Sequence, residues 1–126
     1  MRFILAVLLT VHAVAHLVGF VVPWRLITSA EVPYRTTILS GAIDIGATGI
    51  RLLGVGWLLV ALAFLALAGG VVLRASWWHA AVLPTVAVSF VLCVLGWPDS
   101  RLGIVANMLI LALLVAGTRF GWLTSA

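Results

Sequence analysis

Two histidines, His12 and His16, stand four residues apart in an otherwise apolar stretch near the start of the chain. On a helix that spacing puts both rings on one face. Three chemistries suit such a pair. Neutral imidazoles can supply two ligands to a divalent metal, completed by Asp44, Glu31 or a second subunit. Imidazoles titrate near neutral pH and can pass protons. One ring can serve as an axial haem ligand. The plainer alternative is packing: each ring hydrogen-bonds across a bundle to Ser89, Asn107 or a backbone carbonyl. The first three need an open partner position, and the last needs none.

Other polar residues are few. Asn107 follows Gly103 by four positions, so a neighbouring helix can come close and share its amide. Thr85 and Ser89 lie beyond Pro84, which frees the carbonyl of Ala80 if it sits in a helix. Asp44, flanked by Ala42, Ile43, Ile45 and Gly46, is the most conspicuous carboxylate. If its surroundings are helical it shares a face with Arg51, seven residues on. It then either pairs with Arg51 or Arg35, or sits over the histidines as proton acceptor or ligand. His79 adjoins Trp77 and Trp78 and reads as an interfacial anchor. Cys93, in a run of Val and Leu, reads as a small core hydrophobe.

Four apolar runs must position these groups: residues 3–22, 52–73, 77–97 and 102–118. None contains Asp, Glu, Lys or Arg, and each approaches the roughly 20 residues a membrane helix needs. They are too long and too uniformly apolar for barrel strands. The last two connectors, at 74–76 and 98–101, force antiparallel neighbours. Asp99 or Ser100 is the natural N-cap of the fourth helix. The 29-residue connector at 23–51 is long enough to carry function. Its second half, 38–50, is apolar and rich in small residues. It suggests a short interfacial or re-entrant helix, or an extension of helix 2.

Counting from the connector-side end, His16 is six residues in, Ser89 eight, Asn107 five and Trp57 five. At ~1.5 Å per residue these form one layer, roughly 7–12 Å deep. His12 lies a turn deeper. The polar pocket candidates are therefore His12, His16, Asp44, Ser89 and Asn107, with Asp99, Arg101 and Arg51 at the connector-side rim. His12 and His16 are also the metal candidates.

Composition agrees. Only 8% of the 126 residues are charged and 65% are hydrophobic, against roughly a quarter charged in soluble domains. That excludes a soluble globule and a disordered tail, and one cysteine excludes a disulfide scaffold. The net charge of +4 comes from seven scattered Arg and no Lys. A nucleic-acid surface needs clustered cations, so no nucleic-acid partner is expected; the partners are the bilayer and a homodimer or larger membrane complex. Arg2, Arg74 and Arg119 fall on one side; Arg25, Arg35, Arg51, Arg101 and all three carboxylates fall on the other. The amino terminus and the dilution of Arg in the long connector place both termini in the cytoplasm of a multi-pass inner-membrane protein. Ala13-Val14-Ala15 also fits a signal-peptide cleavage pattern, but the apolar run continues to Val22 and favours a retained span.

These residues carry a resemblance. His12-Ala13-Val14-Ala15-His16-Leu17-Val18-Gly19-Phe20 resembles the H-x-x-x-H-L-x-G-F opening of a group of small bacterial four-span membrane proteins. Arg74-Ala75-Ser76-Trp77-Trp78 is similar to their basic-plus-tryptophan turn. Trp97-Pro98-Asp99-Ser100-Arg101-Leu102-Gly103 through Asn107 resembles their W-x-D-x-(K/R)-x-G-x-x-x-N signature. Some of these proteins are described as permease-like or DoxX-like. The resemblance implies an all-α antiparallel four-helix membrane bundle and a site at His12, His16, Asp99, Arg101 and Asn107. It implies no activity. The glycine-rich connector with Asp44 is longer than the pattern leads one to expect.

Three functions are consistent with the sequence. One is an accessory or scaffold component without enzymatic activity. Another is a carrier or channel subunit for protons, a cation or a small solute. The third is a membrane redox protein using haem or a divalent metal.

Overall fold

The computed structural model describes residues 1–123. It contains four long helices: α1 (Arg2–Val21), α2 (Gly46–Leu73), α3 (Trp78–Leu95) and α4 (Arg101–Arg119). Each is long and apolar enough to cross a membrane. They pack antiparallel in cyclic order, with α1 against α2 the most extensive interface and α4 closing back on α1.

The bundle has an apolar core holding a few polar side chains, and an outer surface that is apolar as well. His12, His16, Ser89 and Asn107 are buried, while Val7, Val11 and Val14 of α1, Leu59 of α2 and Met108 of α4 face outward. A surface of this kind in water would aggregate; in lipid it is matched by its solvent.

Small residues set the close approaches. A Cβ on Gly19 would fall inside the Trp57 indole, and one on Gly54 would lie 3.3 Å from the Gly19 carbonyl. The α1–α2 backbones therefore meet through glycine on both sides. Gly70 likewise makes room for Trp77 and Trp78. Trp78 is 4% exposed and belongs to the core, while Trp77 is exposed. His79 is exposed and stacks on Trp78 at 3.8 Å between ring centroids.

The short interfacial helix expected at 38–50 is absent. Its place is taken by a two-stranded hairpin, β1 (Thr37–Ile38) and β2 (Ile43–Asp44), after which α2 begins at Gly46. The reason is local. Leu39, Ser40 and Gly41 all take positive φ, as does Gly46, and consecutive left-handed residues cannot propagate a right-handed helix. The alternative, an N-terminal extension of helix 2, holds for Gly46 to Arg51. Asp44 forms the joint: its Oδ1 accepts the Gly46 N–H at 2.9 Å.

The hairpin tip is seated on the bundle. The Leu39 N–H donates to the Leu95 carbonyl and the Ser40 N–H to the Trp97 carbonyl. Leu95 is the last residue of α3, where carbonyls lack intrahelical partners, and Trp97 lies in the turn just beyond it. The connector thus caps α3 and roofs that end of the bundle. Ser100 is the N-cap of α4, as its sequence position suggests. Its hydroxyl, however, donates back to the Cys93 carbonyl of α3 rather than to its own helix.

Candidate functional site

The polar residues of three helices converge in the bundle interior. Helix α1 supplies His12 and His16, α3 supplies Ser89 and Cys93, and α4 supplies Asn107. Each follows from the helical repeat, since His12/His16 and Ser89/Cys93 are four apart and share a face.

Hydrogen-bond geometry assigns the protons. His16 Nδ1 lies 2.9 Å from the His12 carbonyl oxygen. A carbonyl only accepts, so Nδ1 carries the hydrogen and Nε2 presents a lone pair. The Ser89 hydroxyl donates to that Nε2 at 2.8 Å. His12 Nε2 lies 3.1 Å from Asn107 Oδ1 and 3.3 Å from Ser89 Oγ. Both positions accept from one N–H, so His12 is protonated on Nε2. Asn107 Nδ2 completes the set by facing Cys93 Sγ at 3.8 Å. Among the described residues, no buried side-chain nitrogen or oxygen lacks a partner.

Aromatic rings wall the cluster. Phe64 meets the His12 and His16 rings edge-on at 4.9 and 5.4 Å, and Trp57 tilts over His16 at 5.0 Å. The two imidazoles are themselves T-shaped at 4.3 Å. Gly103 admits α4, for a Cβ there would come 2.6 Å from Cys93 Sγ. On the side away from the connector the axis is filled by Leu5, Leu9, Phe64, Leu67, Ile110 and Leu114, all at most 8% exposed.

The remaining sequence candidates lie elsewhere. Asp44 is exposed in β2 and does not approach the histidines. It pairs with neither Arg51 nor Arg35. Instead, the Gly46 N–H and then the Thr36 hydroxyl lower its pKa from the ordinary carboxylate value. The reason is the hairpin: β2 is extended, so the seven-residue spacing to Arg51 no longer defines a shared helical face. Arg51 lies over the Trp24 ring, and its carbonyl accepts the indole N–H at 3.0 Å. Arg101 is exposed at the start of α4. The ion pair found among the described residues is Arg35 with Asp99, at 3.7 Å.

Asp99 belongs to a second feature, a partly open cavity of about 160 Å³ on the connector side. Its apolar walls include Val18, Ile38, Leu53 and Trp57, and its mouth carries Arg35, Asp99 and Ser100. Trp57 therefore separates this cavity from His16.

As a metal centre the cluster is incomplete. No group of three His, Cys, Asp or Glu side chains converges among the described residues. Both nitrogens of His16 are already engaged, so metal or haem ligation there would displace Ser89. The Ser89–His16 contact has the spacing of a nucleophile and its base, a pairing the sequence did not signal. Ser89 is nevertheless fully buried, with 0% exposure. Sequence reasoning also passed over Phe64, Cys93 and Arg35 as site residues. For Phe64, its seven-residue spacing from Trp57 was a usable signal, and for Cys93 its four-residue spacing from Ser89. Arg35 reaches Asp99 only through the hairpin fold and had no such signal.

The fold and this site define a multi-pass four-helix membrane protein with a sealed histidine cluster in its core. No protein-family model, curated protein or solved structure matches the chain.

Proposed function

We propose that the chain is an accessory or scaffold component of the bacterial inner membrane, without catalytic activity of its own and with both termini cytoplasmic. One observation carries this reading: every assigned donor and acceptor linking His12, His16, Ser89 and Asn107 is engaged within the bundle. A satisfied polar network fixes a unique packing, and both nitrogens of His16 are taken up by it. The resemblance to small four-span proteins supports the same architecture.

The carrier reading has one observation in its favour. Asn107, His12, Ser89 and His16 form a continuous hydrogen-bonded line, along which a proton can hop. Phe64 lies against both rings of that line, and Leu9, Phe64 and Ile110, each 0% exposed, belong to the surrounding apolar core. This packing supports the bracing role over the carrier reading.

The accessory role is tested by purification from the native membrane in mild detergent. The expected result is a complex of fixed stoichiometry with a second membrane protein. Recovery of the chain alone, from gently solubilised membranes at native expression level, contradicts it.

A further inference from the structure

We propose that the connector-side cavity is a binding site for a small single-ring aromatic molecule bearing a hydroxyl group, a phenol in the chemical sense. The inference does not depend on the accessory reading. It begins with size. At about 160 Å³ the space is close to the roughly 150 Å³ engineered apolar cavity that takes up benzene. It is too small for a haem or a folded peptide segment.

The walls suit a ring. Val18, Ile38 and Leu53 present aliphatic surface and Trp57 an aromatic floor. Gly19 lets that floor lie against α1, because any side chain there would occupy the indole position. Apolar walls with a few convergent polar groups at one end are the usual make-up of a small-molecule site.

The mouth selects the head group. Arg35 offers only donors and Asp99, when ionised, only acceptors. They stand 3.7 Å apart, too far for a direct hydrogen bond, with side chains 50% and 26% exposed. A hydroxyl both donates and accepts, so it can bridge the two. A carboxylate would gain Arg35 but be repelled by Asp99, and an unsubstituted ring would leave the pair unbridged. Ser100, also at the mouth, already spends its hydrogen on the Cys93 carbonyl and can only accept.

The roof is held without relying on the ligand. The Leu39 and Ser40 N–H groups anchor the hairpin to the end of α3, and that anchorage places Ile38 and Ser40 along the wall. The site is therefore preformed, which lowers the ordering cost of binding.

The test is a fluorine NMR titration of the full chain in lipid nanodiscs with three probes: 4-fluorophenol, 4-fluorobenzoate and fluorobenzene. Empty nanodiscs correct for partitioning into lipid. The expected result is saturable binding of 4-fluorophenol, at least tenfold tighter than the other two. Ile38→Trp should fill the cavity and abolish saturation while Cys93 stays protected from thiol reagents, which reports an intact bundle. Arg35→Gln combined with Asp99→Asn should bring 4-fluorophenol to within about threefold of fluorobenzene. Signals that never saturate, or that saturate equally in folded Ile38→Trp, overturn the site. Equal affinity for all three probes in the wild type overturns the role given to the mouth.

Discussion

Ser89 on α3 donates its hydroxyl hydrogen to Nε2 of His16 on α1 at 2.8 Å, across 73 positions of sequence. The same oxygen lies 3.3 Å from Nε2 of His12, so one serine holds both rings of the pair. Ser89→Ala removes this bridge and leaves the His16 lone pair buried without a donor. The expected cost is about 0.5–2 kcal/mol, the span of hydrogen-bond losses within membrane bundles and of stranded buried groups. Equilibrium unfolding in detergent micelles measures it, and a variant as stable as the wild type would mean the contact contributes nothing.

Asn107 and His12 should be energetically coupled. Asn107→Leu alone leaves the buried imidazole N–H only its longer 3.3 Å contact with Ser89 Oγ, and His12→Phe alone removes the donor facing the amide oxygen. The double variant removes both ends of the 3.1 Å contact. A double-mutant cycle is therefore expected to be non-additive by about 1 kcal/mol, the double variant being less damaged than the sum. Strict additivity would show that the two side chains act independently.

The protons have assigned places. Nitrogen-15 spectra of histidine-labelled protein in bilayers should report His16 protonated at Nδ1 and His12 at Nε2, as their carbonyl partners require. The opposite tautomers would mean that the network runs in the other direction.

Gly19 is held by a steric limit rather than by backbone conformation. Gly19→Val places its branch inside the Trp57 indole and must push α1 off α2. An overpacking cost of about 1–3 kcal/mol is expected, read as a lowered thermal midpoint. The same change should disturb the cavity floor.

Asp44 gives the hairpin a pH dependence at the acid end. Its pKa is lowered from 3.8 in the folded chain by the Gly46 N–H and the Thr36 hydroxyl. A depressed carboxyl stabilises the fold above its unfolded value, and that contribution disappears as pH falls through the folded value. Protection of the Gly46 amide, relative to its intrinsic exchange rate, should therefore fall on acidification below about pH 4. Asp44→Asn, whose side-chain oxygen can still accept from Gly46, should make the protection, relative to the intrinsic exchange rate, insensitive to pH in that range.

Sequence and structure agree where helical periodicity dominates. The four helices and the shared face of His12 and His16 follow from 3.6 residues per turn; Asn107 meets His12, which residue counting puts a turn deeper, and Ser89 meets both rings. Two features escaped. Residues 38–50 resemble a helix in composition, yet the left-handed run at Leu39, Ser40 and Gly41 turns the chain into a hairpin. Conformation at non-glycine residues of this kind is set by tertiary anchorage, here the bonds to Leu95 and Trp97. Arg35 and Asp99 meet only because of that turn, so no local spacing could have joined them. The burial of Trp78 is likewise tertiary in origin. Its burial depends on the space left by Gly70 in another helix.

The central claim is that the histidine cluster braces the bundle and does not conduct. Proton flux into proteoliposomes under an imposed pH gradient tests it most directly. The account predicts flux no greater than in protein-free vesicles, because Leu9, Phe64 and Ile110, each 0% exposed, close the axis beside the cluster. Flux well above that background, lost in a folded His16→Phe variant, would contradict it.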